Sequence, residues 1–535
     1  LWRNLPSHAK SWAGIVNCWP LGVINSIEWG TEKAQRVICG SILATVQALR
    51  ARSSSSSYYV LTQGAVSTKS KDLVLHPHQA SAWGLVRTIV RELPDFPIQI
   101  VDLEGGSESD PVETISSALL YSATERQIGI RGGKVLTPRL TAVSRPEGRG
   151  LLIRPDRAYM VVGAHGGLGA SVLKWLVNQG AQELVMVGRR PHTDSLAVKF
   201  LTSIGEKRLK IHNLIFSENV DFDVSTLQLD TLERPLGGVF HLAGTLSDQN
   251  IETMAWSEFF SPFPAKVDVA VNLVKYISRI PDVPLVMFSS LASLIGSPGQ
   301  SNYAAANAFL DGLAASGKPN VFSINWGPWD GPGMADRIPP NLKATLMDGG
   351  VGFLAPEAAL AVLGDIELDS GGHCAVATVD WARWPDKGEV FDRLVQGPPD
   401  TTTTGGALRT QLQQRPKAQR RSLLLKKLTE MVAGALHLDR ESISPRARLF
   451  DLGIDSLTAM QLRSALQLDL STKLESTLLF DYPTLEKLAA HILDHYVNED
   501  VAATSQKKKE DSNPEEKINT AELTAALEQL KASLN

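Results

Sequence analysis

Ala158-Tyr159-Met160-Val161-Val162-Gly163-Ala164-His165-Gly166-Gly167-Leu168-Gly169 decides the fold of the longest block of this chain. Five residues of strand character run into a glycine-rich turn, and amphipathic helical spacing follows. Glycines at 163, 167 and 169 allow a tight turn and a close backbone approach to a pyrophosphate at the positive end of the helix. Gly163, His165, Gly166, Gly167, Leu168 and Gly169 are therefore candidate cofactor contacts. Taken alone, the motif is weak evidence, and a turn that packs a strand closely against a helix is the alternative. The alternation continues through Glu183 to Val187, Gly237 to Leu242, Pro284 to Ser289 and Val321 to Asn325, which predicts a parallel, doubly wound sheet. The strand Glu183 to Val187 runs out at Gly188-Arg189-Arg190. Folds that select NAD usually place an acid there, whereas arginine suits the 2'-phosphate of NADP. A solvated loop is the other reading of Arg189 and Arg190.

Residues 1–147 form an earlier α/β block. Tyr58 to Val66 and Ile98 to Leu103 have strand character, Thr31 to Arg50 and Ala80 to Leu93 have helical spacing, and Gln127 to Leu140 predicts a hairpin turning at Gly132-Gly133. No glycine-rich strand-turn-helix occurs in this block, so no cofactor is expected there. Residues 148–395 hold the block already described. Residues 396–410 have linker composition, residues 411–497 are helical almost throughout, and 498–535 predict a disordered, charged tail. That tail ends in leucines at 523, 527, 530 and 534, a docking helix or a frayed end. The fold class is thus α/β: two Rossmann-like subdomains followed by a small all-α, four-helix domain.

Composition narrows the function. A chain of 535 residues is too long for one core. A formal net charge of -4 argues against nucleic-acid binding as the main task. Cys18, Cys39 and Cys374 are scattered and odd in number, which yields neither a disulfide framework nor a zinc motif and fits a reducing, cytoplasmic setting. No apolar run reaches membrane-span length, and the first residues lack the apolar core of a signal peptide. The chain begins at Leu1 without methionine, as expected of a piece of a longer polypeptide.

The spacing Gly163-x-x-x-Gly167-x-Gly169 resembles the short-chain dehydrogenase/reductase family. That resemblance implies a serine at a strand end and a tyrosine downstream; Phe288-Ser289-Ser290 ends a strand, and Tyr303 lies 13 residues after Ser290. The position four residues beyond the tyrosine holds Asn307 instead of the usual lysine. In ketoreductases of modular polyketide synthases the lysine and asparagine exchange places, and Lys266 stands 24 residues before Ser290, as that family requires. His241-Leu242-Ala243-Gly244, the run from Gly296 to Leu310, Asn325-Trp326-Gly327-Pro328-Trp329, and in the first block Leu61-Thr62-Gln63-Gly64-Ala65 and Ala82-Trp83-Gly84-Leu85 are similar to the same family.

The resemblance implies an NADPH-dependent reduction of a β-ketoacyl thioester. Tyr303 would be the general acid and Lys266 the ammonium that favours the phenolate left behind. Ser290 would hold the substrate carbonyl oxygen, Asn307 would order the site or a relay water, and Ala243 and Gly244 would line the cofactor. Leu246-Ser247-Asp248 resembles the Leu-Asp-Asp marker of B-type reductases with its middle residue changed. Ile295 stands where A-type domains carry tryptophan, so a D-configured hydroxyl is expected; Ala305 in place of proline implies no epimerisation. The segment 188–241 is short for the family, and Asp223-Val224 is the candidate for its usual Asp-Val pair.

Phe450-Asp451-Leu452-Gly453-Ile454-Asp455-Ser456-Leu457 resembles the acyl-carrier signature, with Leu449-Phe450 before it and Leu478 to Thr484 after it. Ser456 would carry 4'-phosphopantetheine at the start of a helix over Leu457 to Leu468; a plain helix cap is the alternative. Expected partners are a tethered acyl thioester, upstream ketosynthase and acyltransferase domains with or without a dehydratase, a phosphopantetheinyl transferase, and a downstream module or release enzyme. The rival readings are an inactive reductase scaffold beside a working carrier, and a free-standing dehydrogenase acting on untethered molecules.

Overall fold

The computed structural model describes residues 14–497 except 25–29, 55, 70–71, 106–124, 144–149, 190–195, 205–208, 216–223, 228, 281, 332–342, 344–345, 366–371, 382, 385–388, 392, 395–406, 437–439, 441–442, 453, 455–458, 460–461, 464–465, 467–469, 471, 473 and 475–477. Arg190, Asp223, Ser456 and the whole of 498–535 fall outside the described residues.

The first half is a five-stranded sheet ordered β1 (Gly14–Asn17), β2 (Ser57–Gln63), β3 (Ile98–Leu103), β4 (Gln127–Arg131) and β5 (Lys134–Leu136). β1 to β4 are parallel, and β5 returns antiparallel on β4 through Gly132 and Gly133, at φ +56° and +70°. Two positive φ values in succession are what a two-residue hairpin turn demands, which is why glycine occupies both places. The parallel order runs one way from β1 to β4, so it contains no reversal of the kind at which doubly wound sheets open a crevice. Helices α1 (Thr31–Ala51) and α2 (Pro77–Glu92) pack on this sheet, and Pro77 suits the first turn of α2 because its missing N–H has no intrahelical partner.

The second half is a seven-stranded parallel sheet built from β6 (Ala158–Val162), β7 (Glu183–Gly188), β8 (Lys210–Ile215), β9 (Leu236–His241), β10 (Leu285–Ser290), β11 (Val321–Trp326) and β13 (Gly372–Val376). Its order is β13-β11-β10-β9-β6-β7-β8. A short antiparallel pair, β12 (Val351–Gly352) with β14 (Thr378–Val379), lies apart from it. The chain leaves β6 toward β7 and β8, then crosses back to place β9 on the other flank of β6. Ligands bind at such a switch point, beyond the carboxyl ends of β6 and β9. β6, β7 and β11 are buried at every position, as apolar strands covered on both faces should be.

The two halves meet along α2 and α4 (Ser301–Ala314), the helix that carries Tyr303 and Asn307. A Cβ on Gly84 would strike the carbonyl oxygen of Ala304 and come 2.9 Å from Ala308 Cβ; one on Gly312 would lie 2.7 Å from Ala80 Cβ. Small residues on both sides let the helix backbones approach closely. Trp83, Leu85, Val86 and Ile89 then share one buried cluster with Ala305, Phe309 and Leu310, where each large apolar side chain contributes roughly 1.5–3 kcal/mol on burial. α4 is consequently buried along its whole length.

Beyond residue 406 the described α-helices, α5 (Ala407–Gln414), α6 (Lys417–Leu436), α7 (Leu478–Asp481) and α8 (Leu485–Ile492), bury leucines in a separate core. α5 begins inside the stretch that composition marks as linker, because Leu408 and Leu412 are apolar enough to join that core. Among the described residues no helix is long and apolar enough to cross a membrane.

Candidate active site

The glycine-rich turn lies at the switch point. Gly163 has φ +91°, and a Cβ on it would come within 2.8 Å of the Ala243 backbone nitrogen. A Cβ on Gly169 would strike the Ala164 carbonyl and lie 2.6 Å from that of Gly163. α3 (Gly167–Asn178) starts directly from Gly166, and the N–H groups of its first turn have no partner within the helix. Leu242 N donates to Val162 O at 2.9 Å, which brings Ala243 and Gly244 beside the turn. This cradle fits a pyrophosphate. His165 turns toward Asn213 at 3.2 Å, Leu168 packs on the core behind the turn, and Arg189 is exposed just beyond β7.

Lys266 is 2% exposed and donates from Nζ to Phe288 O at 3.0 Å. It sits in a π-helical turn, Pro264–Asp268, a rare local widening found often at functional sites. Its Nζ is 5.3 Å from the centre of the Tyr303 ring. A Cβ on Gly244 would come 2.9 Å from Lys266 Cε, so glycine there leaves the lysine its path. Burial pulls the ammonium down to about 8, with the Asp311 carboxylate opposing.

Tyr303 is buried, and burial pushes its phenol up to about 12 while the Asn307 and Ser290 side chains pull it back. Ser290 closes β10, where its Oγ accepts from Ala292 N at 3.2 Å. Asn307 donates from Nδ2 to Tyr303 O at 2.8 Å, while its buried Oδ1 has no partner. Asp248 accepts from Gln300 Nε2 at 3.0 Å, which ties its loop to the segment before Tyr303. Lys266, Ser290, Tyr303 and Asn307 are thus brought to one place from a π turn, a strand end and a helix.

Two supporting residues went unassigned in the sequence reading. His241 Nε2 contacts Lys266 O at 2.8 Å, and burial, assisted by the Lys266 charge, lowers its pKa to about 3, so the ring is neutral and the N–H donates. Asp311, eight residues along α4 from Tyr303, accepts from Ser293 Oγ (2.6 Å), Ser323 Oγ (2.7 Å) and Asn325 Nδ2 (2.7 Å). Its signal was a lone acid in the apolar run Ala304 to Ala314. Among the described residues no group of three or more His, Cys, Asp or Glu side chains is placed to hold a metal ion.

In the helical unit the flanks of the Ser456 motif are described although the serine is not. Leu449 N donates to Pro483 O at 2.9 Å and Ile454 N to Leu449 O at 3.2 Å, with Leu449 and Ile454 buried. Thr484 caps α8, its Oγ1 accepting from Lys487 N at 3.3 Å. Leu457 and Met460, on the expected helix after Ser456, lie outside the described residues; Leu466 is buried.

Comparison with known proteins agrees with this layout. Residues 157–331 match the family described as KR domain, residues 426–492 the phosphopantetheine attachment site, and residues 11–140 the Rossmann fold domain of the polyketide synthase extender module SpnB. The chain is 30% identical over 497 residues to polyketide synthase GfsB of Streptomyces halstedii, covering 86% of this chain and 9% of that protein. It is 28% identical to the pikromycin polyketide synthase component PikAIII of Streptomyces venezuelae, covering 85% of this chain and 31% of the relative. A solved A1-type ketoreductase superposes with TM-score 0.63 at 27% identity, covering 72% of this chain and 82% of that one. This chain therefore spans under a third of the length of these curated relatives. A ketoreductase domain and a phosphopantetheine attachment site call for NADPH and covalent phosphopantetheine as cofactors. The chain belongs to the modular polyketide synthases, as a ketoreductase with its two Rossmann-like halves followed by a carrier domain.

Proposed function

We propose that this chain reduces a β-ketoacyl thioester, held on phosphopantetheine at Ser456, to the β-hydroxyacyl thioester with NADPH. The observation that carries the reading is the buried Lys266 ammonium 5.3 Å from the Tyr303 ring, beside the backbone cradle at Gly163 and Gly169. NADPH, when bound, supplies hydride to the ketone carbon. Tyr303 donates its phenolic proton to the carbonyl oxygen, and Ser290 holds that oxygen in place beforehand. A phenol pushed up to about 12 is a reluctant donor. The neighbouring ammonium offsets this by stabilising the phenolate once the proton leaves. The unpartnered Asn307 Oδ1 suits a water that returns a proton to Tyr303.

Gly163, Gly166, Gly167 and Gly169, with Ala243 and Gly244, would hold the pyrophosphate and its ribose, and Arg189 the 2'-phosphate. Asp248, with Ile295 where A-type domains carry tryptophan, supports a D-configured hydroxyl. Residues 1–147 serve as the structural half, 148–395 as the catalytic half and 411–497 as the carrier. Tethering raises the local substrate concentration, so the reductase need not bind the chain tightly. Ketosynthase and acyltransferase domains would supply the substrate, and a phosphopantetheinyl transferase would load Ser456.

Two measurements test the assignment. Incubation with coenzyme A and a phosphopantetheinyl transferase should add one phosphopantetheine to the chain and none to Ser456→Ala. Fluorescence titration should show NADPH binding; failure of binding would leave a scaffold beside a carrier.

A further inference from the structure

Glu92 is the last residue of α2, in the half that has no glycine-rich turn, and its residue exposure is 2%. Its carboxylate accepts from Ile251 N at 2.6 Å and from Gly299 N at 2.8 Å. These amides lie 159 and 207 residues away, on the two loops that flank the site. One loop follows β9 and carries Ser247 and Asp248; the other leads from Ile295 into α4 and Tyr303. The same seam is closed by Gln249 N donating to Gly299 O (2.8 Å), Gln300 Nε2 to Asp248 Oδ2 (3.0 Å) and Asn302 Nδ2 to Ser247 O (2.8 Å).

Other residues of the first half hold these loops from behind. Arg87 Nη1 donates to Ser293 O at 2.7 Å, Thr88 Oγ1 accepts from Ser297 N at 3.3 Å, and Gln47 Nε2 donates to Ile251 O and Met254 O, both at 2.9 Å. Gly296, at φ +72°, lies so close that a Cβ would strike the Arg87 carbonyl. Glu92 alone in this group bonds both loops with one rigid group. Burial raises the carboxyl above its ordinary range and the two N–H bonds draw it back. A glutamine would offer one acceptor and turn an N–H₂ toward the second amide, leaving a buried donor facing a donor.

We propose that Glu92 is a positioning residue of the ketoreductase, contributed by the structural half, that sets the spacing between the Asp248 loop and Tyr303 and so decides which face of the β-ketone is presented to the proton donor. The inference rests on the reductase reading above. It assigns the first half a part in substrate selection as well as in support.

The test is Glu92→Gln in the whole chain, with kcat, KM and the ratio of hydroxyl epimers measured on a β-ketoacyl thioester. NADPH affinity and amide exchange at Ile251 and Gly299 are followed in parallel. A rise in KM and a shift in epimer ratio, each of about fivefold or more, are expected. Exchange at the two amides should quicken by about tenfold, with NADPH affinity held within about twofold, since the glycine turn is on other strands. A folded variant with wild-type KM and epimer ratio overturns the proposal. So does a fall in kcat that merely tracks the fraction of folded protein, as a purely structural role predicts. Should Glu92→Gln fail to fold, Glu92→Asp keeps the charge, cannot span both amides, and should show the same pattern. If wild-type chain fails to reduce the thioester, the reductase reading falls. Amide exchange then decides the loop tie separately: unchanged exchange sinks it, and faster exchange retains it.

Discussion

Lys266→Met should make the reductase more stable while abolishing its turnover. Holding the buried ammonium at about 8 instead of its ordinary 10.5 costs the fold on the order of 3 kcal/mol at neutral pH. The sign follows from proton binding: between those values the unfolded chain binds the extra proton, so the cost is complete below about pH 8 and fades as pH rises toward 10.5. Methionine removes the charge at similar length but forfeits the bond to Phe288 O, worth about 1 kcal/mol. The net gain at pH 7 is then about 1 to 2 kcal/mol, shrinking toward zero or below near pH 10.5. Tryptophan fluorescence during urea unfolding isolates the effect, because all 11 tryptophans lie between Trp2 and Trp384 and none in the carrier. Turnover should fall by about a hundredfold or more, since the phenolate would lose its ammonium. A variant clearly less stable than wild type at pH 7, or a stability gain that does not shrink with rising pH, would refute the reasoning.

Other outcomes follow from the same geometry. Tyr303→Phe should lose about two to four orders of magnitude in kcat while keeping NADPH affinity, measured by stopped-flow absorbance and fluorescence titration. Gly169→Val would drive side-chain atoms into the Ala164 and Gly163 carbonyls, so NADPH binding should be lost while phosphopantetheine loading proceeds normally, as seen by intact mass. Gly84→Val would drive side-chain atoms into α4 at Ala304; overpacking of this kind should destabilise the reductase by about 1–3 kcal/mol and lower kcat through displacement of Tyr303. With Lys266 at about 8, the rate of ketone reduction should decline by about tenfold per pH unit well above that value and level off below it.

The strands placed most closely from the sequence were those whose burial is uniform. Ile98 to Leu103 and Ala158 to Val162 are apolar runs buried throughout, and the structure starts and stops them at the expected residues. β8 and β13 escaped notice because both are edge strands with alternate residues exposed, and Gly372-His373-Cys374 carries little strand propensity. The hairpin at Gly132-Gly133 was legible because only glycine adopts two successive positive φ values cheaply. Among site residues, Tyr303, Ser290 and Asn307 were reached through the family's spacings within one strand-helix unit. Lys266 was reached only through the family's spacing, since nothing local reveals that a π turn aims it inward. His241, Asp311 and Glu92 were out of reach for a different reason: each is a polar group whose partners stand far along the chain, so its burial has no local signature. Asp223, the candidate for the family's Asp-Val pair, lies outside the described residues, while Val224 is buried in the core at the start of a 3-10 turn.

The central claim is that the carrier's own cargo is the ketone reduced at Tyr303. The direct measurement loads Ser456 with a β-ketoacyl phosphopantetheine, adds NADPH, and weighs the chain during a single turnover. The account predicts a carrier heavier by two hydrogens, at a rate cut steeply by Tyr303→Phe. A loaded carrier that keeps its ketone while bound NADPH stays unoxidised would contradict it.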